Sequence, residues 1–162
     1  MGTDPIVMRG PEVLSLRTGA AFQMIDLTDQ LAALVQAATL AEGAVNAFCP
    51  HTSCGLAVTE LEEGLHADLE AVLEEVAPRS RAWAHDDLDR RWQNLEPDER
   101  RNGWSHMRGL LATQPSVVVP VLAGRLGLGR WQRLFLVELD GPRPVRTVVV
   151  QAWGRPQPGE PG

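Results

Sequence analysis

The alternation of apolar and polar residues near the start of the chain predicts strands, and a change of period then predicts a helix. From Val13 to Ile25 the residues alternate, with Thr18-Gly19 as a break, so a β-hairpin of short strands is predicted. A first helix is predicted from residue 28 to near residue 43. Its apolar face, at i, i+3, i+4 and i+7, consists of Leu31, Leu34, Val35 and Ala38.

The chain is next apolar over residues 44–49 and 56–59, and a polar segment separates the two runs. They predict two strands joined by a loop from Pro50 to Gly55. The loop carries His51 together with hydroxyl and thiol side chains, and Glu60 follows the second strand. Loops held by rigid strands often carry binding and catalytic residues, so this stretch is predicted to be the centre of the functional site.

A second helix is predicted from about residue 61, and Pro78 ends it. Its apolar face consists of Leu65, Leu69, Val72, Leu73 and Val76, with Asp68 at the edge. The charged, Trp-containing stretch 79–102 predicts a long exposed loop. A short helix over 105–111 and strands over 116–121, 130–138 and 145–152 complete the pattern.

Length and composition predict one soluble domain. At 162 residues the chain can bury one sizeable core, and we expect a flexible lead-in at 1–10, a single domain at 11–152 and a disordered Pro/Gly tail at 153–162. It has no apolar run long enough to span a membrane and no signal region, which predicts a cytoplasmic protein. A net charge of -6 disfavours nucleic acid and anionic membranes as partners.

The chain has no lysine, since all 15 basic residues are arginine. This excludes chemistry that needs an amine side chain, such as a Schiff base or a P-loop lysine. The two cysteines, Cys49 and Cys54, have neither the spacing of a CxxC motif nor that of a disulfide framework, and we expect reduced thiols. Cys54 beside His51 could be a nucleophile, but a buried thiol is the more common role.

Three histidines, His51, His85 and His106, lie in loops or at a helix start beside hydroxyls or carboxylates. Their spacing matches no local zinc motif, and spacing alone favours scattered structural histidines. With Glu60 and Asp68 they could supply ligands for a divalent ion, or an acid and a base for proton transfer. For Glu60, stabilisation of the second helix's positive end is an equally good explanation.

An ordered set of motifs across residues 11–152 resembles the YjbQ-type family of secondary thiamine-phosphate synthases. The motifs are His51-Thr52-Ser53, Glu60, Asp68, His85-Asp86, His106, Ser116–Val121, Gly124, Leu128-Gly129-Arg130-Trp131-Gln132, Glu138 and Asp140-Gly141-Pro142-Arg143. Two positions depart from the family pattern: the usual LGTWQ has Arg130 in its centre, and Thr59 replaces a common asparagine.

The resemblance implies an α+β fold, a small β-sandwich of mostly antiparallel strands with two main helices, assembled as a homotrimer. It implies a condensation of hydroxymethyl-pyrimidine diphosphate with thiazole phosphate, with loss of diphosphate. The alternatives are a metal-assisted phosphoester hydrolase and an oligomeric small-molecule-binding protein with incidental activity.

The resemblance also implies the site. His51, His85, His106, Glu60 and Asp68 are expected to be catalytic, and the three histidines to hold a divalent metal, Zn or Mg, where one is used. Residues expected to bind a phosphorylated small molecule are Thr52, Ser53, Cys54, Gly55, Asp86, Arg130, Trp131 and Gln132.

Overall fold

The computed structural model describes residues 6–158. Its elements are β1 (Val7–Thr18), β2 (Gln23–Asp26), α1 (Thr28–Ala37), β3 (Leu40–Phe48), β4 (Cys54–Glu60), α2 (Glu63–Val76), α3 (Gly103–Ala112), β5 (Ser116–Leu122), β6 (Arg125–Leu126), β7 (Gln132–Glu138) and β8 (Arg143–Pro156). A 3-10 turn, Ala84–Asp86, lies in the long loop between α2 and α3. The predicted α+β class and antiparallel strands are confirmed.

The strands form two antiparallel sheets. The five-stranded sheet has the order β1-β8-β3-β5-β6, and the three-stranded sheet has the order β2-β7-β4. The predicted hairpin over 13–25 is therefore wrong, because β1 pairs with β8 and β2 pairs with β7. Likewise, β3 and β4 are not partners, and the loop between them crosses from one sheet to the other. Alternation predicts a strand but contains no information on which distant strand it pairs with.

Several predicted boundaries shift. The first helix ends at Ala37 rather than near Gly43, because Thr39 has a left-handed φ of 49° and the chain then enters β3. β1 begins at Val7, within the predicted lead-in, and β8 runs to Pro156, within the predicted tail. Residues 1–5 and 159–162 of those two segments lie outside the described residues.

The main core lies between the two sheets and includes α1. Leu31, Leu34 and Val35 of α1 are buried in it, as their spacing predicts. β7 is the central strand of the smaller sheet and is buried on both faces: Leu134 and Leu136 belong to the main core. Its alternate residues belong to a second cluster, on the α2 side of the sheet, with Leu73. The molecule therefore has three layers: five-stranded sheet, three-stranded sheet and helix α2.

Helix α2 buries less of its apolar face than its pattern indicates. Leu73 is buried and Leu69 packs beside it on the smaller sheet, whereas Leu65, Val72 and Val76 are exposed to solvent. Arg108 of α3 is fully buried against α2: its Nε donates to the carbonyl of Ala77, and a terminal nitrogen donates to Glu74. The buried Arg108 guanidinium thus joins the two helices. The spacing of apolar residues does not predict a contact of this kind.

A buried ion pair joins the two sheets. Arg146 of β8 donates to both carboxylate oxygens of Glu138 in β7, at 2.6 and 2.7 Å, and Thr18 of β1 also donates to Glu138. Arg146 further donates to Ser53 Oγ at 3.1 Å. Burial acts to raise the pKa of Glu138, but the bonds from Arg146 and from the Asp140 N–H outweigh it, and the pKa is lowered. The pair is thus ionised and held by several hydrogen bonds.

Replacing Arg146 by methionine should destabilise the fold by about 3–5 kcal/mol, because it leaves the Glu138 carboxylate buried without its counter-ion. The matched control is Arg9→Met, which removes an exposed ion pair with Glu12 and should cost less than about 1 kcal/mol. Chemical denaturation of both variants measures the two free energies of unfolding. Equal losses in the two variants would contradict the structural role given to Arg146.

Candidate functional site

His85 and His106 are brought side by side by the start of α3. Their ring centroids lie 4.5 Å apart with the rings tilted by 38°. Helix α3 can approach this closely because residue 103 is glycine: a Cβ there would lie 2.7 Å from Trp83 Cβ and 3.0 Å from His85 Cβ. The close approach of Gly103 to the Trp83 and His85 side chains thus places the two rings together.

Asp86 supports this arrangement from within the chain. Its Oδ1 accepts the backbone N–H of Gly103 at 2.9 Å, and this N–H at the start of α3 has no acceptor within the helix. The same Oδ1 lies 3.2 Å from His85 Nδ1. The sequence predicted Asp86 as a substrate-binding residue. The structure places its carboxylate where it orients His85 and anchors the helix.

His106 directs one ring nitrogen into the protein. Its Nδ1 lies 3.0 Å from the carbonyl oxygen of Thr52, which can only accept, so Nδ1 carries the proton. Burial lowers the pKa of His106; the Thr52 carbonyl acts in the opposite direction, and the charge of His85 lowers it further. His106 is therefore neutral at pH 7, with Nε2 as a lone-pair acceptor.

His51 is turned away from this pair. Its Nε2 accepts the backbone N–H of Thr147 in β8 at 3.0 Å and lies 3.1 Å from the Thr147 hydroxyl. Burial lowers the pKa of His51, and the positive charge of Arg146 lowers it further. Only the neutral ring can accept the Thr147 N–H, so the hydrogen bond and the lowered pKa agree.

Arg91 and Glu99 belong to the same cleft, and sequence reasoning did not identify them. Arg91 Nη1 lies 2.8 and 3.0 Å from the two ring nitrogens of His85 and donates to the His85 carbonyl at 2.9 Å. Glu99 pairs with the other end of the guanidinium. Arg91 Nε is buried with no hydrogen-bond partner among residues 6–158. The only signal in the sequence was the charge density of 79–102, which indicated a solvated loop.

These groups line an open cleft of about 410 Å³. Its lining residues are Thr52, His85, Arg91, Gln93, Asn94, Glu99 and His106. The volume lies within the range of about 300–1,000 Å³ that is typical of small-molecule sites. With two imidazoles and one guanidinium, the cleft can accept an anionic group and exchange a proton with it.

The three predicted metal ligands are not gathered around one point. Over residues 6–158, no three or more His, Cys, Asp or Glu side chains are grouped to hold an ion. His51 Nε2 is engaged with Thr147, and the Arg91 cation lies against both nitrogens of His85. A second cation beside His85 would be repelled. The residues as arranged do not fit a metal held by His51, His85 and His106.

Glu60 and Gln132 lie at the far end of the smaller sheet. They are opposite each other in the β4–β7 ladder. Cys54 begins β4 at the other end, directly after the loop that carries Thr52 and reaches the cleft (the cleft loop). Six residue steps at about 3.4 Å separate Cys54 from Glu60 by roughly 20 Å. The Gln132 side chain accepts the Gly129 N–H and closes the turn, and the Arg130 guanidinium stacks over Trp131 at 4.5 Å.

Asp68 is exposed on α2 and is not among the residues that line the cleft. Arg130 and Gln132 line a separate cavity of about 300 Å³ beside α1. The predicted site residues therefore occupy separate regions of one chain. Of these predicted residues, only His85, His106 and Thr52 line the cleft of about 410 Å³.

The rest of the predicted binding loop points inward. Ser53 accepts a hydrogen bond from Arg146, and Cys54 lies against Cys49 in the core. A Cβ on Gly55 would lie 2.2 Å from the Thr113 hydroxyl, so glycine is needed for the close approach of the residue after α3. Only Thr52 of this segment reaches the cleft.

A family model for UPF0047, YjbQ-like proteins matches residues 12–155 of the chain. The chain belongs to this family. It is 36% identical over 136 residues to a UPF0047 protein of Archaeoglobus fulgidus, covering 84% of the chain and 96% of the relative. It is 31% identical over 144 residues to the UPF0047 protein YugU of Bacillus subtilis, covering 88% of the chain and 98% of that protein.

Solved structures of UPF0047 proteins share the fold. A YbjQ-like protein of unknown function from Sulfolobus solfataricus superposes with a TM-score of 0.79 at 28% identity, over 94% of this chain and all of that one. A YjbQ/UPF0047 family protein from Clostridium acetobutylicum gives 0.74 at 27% identity, over 87% and 98% of the two chains. The two-sheet architecture is thus shared with other members of the family.

No helix within residues 6–158 has the length and apolar character needed to cross a bilayer.

The histidine environments predict that the protein loses stability as the pH falls below about 6.5. The pKa values of His51 and His106 are lowered from 6.5 in the folded chain, so the unfolded chain binds more protons in this window. Denaturation at about pH 7.5 and about pH 5.5 measures the difference. His51→Gln keeps an acceptor for the Thr147 N–H but does not titrate.

The His51→Gln and His106→Gln variants should each lose less stability on acidification than the wild type does. An unchanged pH dependence in both the His51 and the His106 variants would contradict the assignment.

Proposed function

We propose that the chain is a transferase of the thiamine-phosphate synthase type, acting at the cleft of His85, His106 and Arg91. The observation that carries this proposal is the grouping of two imidazoles and a guanidinium along one open cleft. Guanidinium and imidazolium groups donate charge-assisted hydrogen bonds to phosphate oxygens. Membership of the UPF0047 family supports the assignment but does not define the substrate.

The reaction makes one bond and breaks one. The thiazole nitrogen attacks the methylene carbon of hydroxymethyl-pyrimidine diphosphate, and the carbon–oxygen bond to the diphosphate breaks. The electron pair leaves on the diphosphate oxygen, and the thiazole nitrogen becomes a cationic thiazolium. Since that nitrogen carries no proton, the protein needs no base to activate it; it must stabilise charge on the leaving group.

Arg91 and His106 are suited to this task. Arg91 is a permanent cation held by Glu99 and the His85 carbonyl, so it meets the diphosphate without reorganising. His106 is neutral in the empty cleft, and an anion at its Nε2 would raise its pKa and favour the protonated donor. Its Nδ1–H bond to Thr52 fixes the direction of Nε2 in both states.

We expect His106→Gln to lower the rate of thiamine-phosphate formation by about 10²–10⁴-fold, the range for loss of a general acid. His66→Gln is the matched control, because His66 bonds the Glu60 carbonyl and is not among the cleft residues. For Arg91→Ala, which should also lose activity, the control is its neighbour Arg90→Ala, whose side chain is 88% exposed. Product formation from the two substrates is measured by chromatography, and wild-type rates in His106→Gln would exclude the mechanism.

Phosphoester hydrolysis is the second candidate, and the lone pair at His106 Nε2 favours it. A neutral imidazole oriented by a carbonyl can act as a general base on water. Parallel assays with and without thiazole phosphate distinguish the two reactions, since only hydrolysis proceeds without it.

A Zn or Mg ion would require Arg91 to leave the His85 ring, and elemental analysis of purified protein tests that possibility. Tight binding of a phosphorylated metabolite without turnover would instead identify a binding protein.

The chain is further proposed to work as a homotrimer. The outer face of the five-stranded sheet presents apolar side chains on four adjacent strands: Val13 of β1, Val145 of β8, Phe48 of β3, and Val118 and Leu122 of β5, all exposed in the single chain. Exposed apolar surface of this extent is typical of interfaces.

Val118→Asp should dissociate the oligomer, because it buries a charge in the interface. Val72→Asp is the control, since Val72 of α2 is 52% exposed, close to the 58% of Val118, but lies on a different face. Light scattering coupled to size-exclusion chromatography measures the mass of each. A monomeric wild type, or dissociation by Val72→Asp alone, would contradict this interface.

A further inference from the structure

The two cysteines lie at the two ends of the cleft loop and meet in the core. Cys49 directly follows β3, Cys54 begins β4, and their Sγ atoms are 3.5 Å apart. Both side chains are free thiols and are almost completely buried, at 1% and 3% exposure. The contact joins the two sheets at the point where the chain crosses between them.

The two thiols differ in their chemistry. The contact with Cys54 lowers the pKa of Cys49, although burial opposes this, and the same contact together with burial raises the pKa of Cys54. The charged side chains acting on the pair are Arg146 of β8 and Glu138 of β7. The 3.5 Å contact places each sulfur where it can react with the oxidation product of the other.

We propose that Cys49 and Cys54 are a redox-active dithiol that closes to a disulfide and holds the loop carrying His51 and Thr52. With a peroxide as oxidant, the Cys49 thiolate attacks the O–O bond and becomes a sulfenic acid, and one water is released after protonation. The Cys54 sulfur then attacks the sulfenic sulfur, forming the S–S bond and releasing a second water. Each thiol loses one hydrogen, and the peroxide is reduced by two electrons.

The disulfide would restrain contacts that define the cleft. Between the cysteines lie only residues 50–53; His51 accepts from Thr147, and the Thr52 carbonyl orients His106. A covalent link across this segment limits how far those two groups can move. A short loop closed by a disulfide also stabilises the folded chain, because the unfolded chain loses freedom. The inference stands without the transferase assignment, since it needs only the two thiols.

Treatment of the full-length protein with hydrogen peroxide, followed by dithiothreitol, tests the proposal. Mass spectrometry should show the loss of two hydrogens per chain, a non-reduced peptide map should join Cys49 to Cys54, and dithiothreitol should restore the original mass. The Tm of the oxidised protein should rise by roughly 5 °C. Cys49→Ala and Cys54→Ala should each keep one thiol and show neither the mass change nor the Tm shift.

The wild-type measurements do not depend on how well the variants fold. Thiols that persist under peroxide until the protein unfolds would overturn the proposal, as would sulfinic acids or cross-links between chains in place of the internal disulfide. A Tm that falls on oxidation would overturn the stabilising role of the link. A thiamine-phosphate assay that fails would leave all of these results unaffected.

Discussion

The ion pair of Arg146 and Glu138 connects more of this molecule than any single apolar contact does. Glu138 belongs to the three-stranded sheet and Arg146 to the five-stranded one, so their bonds cross the sandwich. Thr18 of β1 and Ser53 of the cleft loop bond to the same two side chains. The charge of Arg146 also acts on His51 and on Cys49. Forming a buried charge pair costs desolvation free energy. Here the pair determines how the two sheets, the loop that carries Ser53 and the side chains of His51 and Cys49 lie relative to each other.

The site is also assembled by polar contacts. Thr52 reaches α3, Asp86 reaches the N-terminus of α3, and Arg91 folds back onto His85 within the long loop. All three contacts join loop residues to each other or to α3, and none of them belongs to a β-ladder. The cleft therefore depends on the loop between α2 and α3 being held in place by hydrogen bonds and ion pairs rather than by a hydrophobic core.

Periodicity predicted the local elements well and their partners poorly. The apolar spacing in α1 identified Leu31, Leu34 and Val35 as core, and the run at 116–121 lies in β5. The run at 130–138 corresponds to β7, which begins two residues later at Gln132 because Arg130 and Trp131 lie in the preceding turn. The hairpin over 13–25 failed, because pairing is decided by residues more than a hundred positions away. Of the candidate site, His85 and His106 lie together in the structure. Arg91 was missed, since a guanidinium that folds onto a histidine looks in sequence like one more surface charge.

The contact of Gly103 with the Trp83 and His85 side chains sets the spacing of His85 and His106, because it lets the start of α3 lie directly against them. A side chain larger than hydrogen at position 103 would push the start of α3 away from His85. The two imidazoles would then separate, whatever side chains line the rest of the cleft.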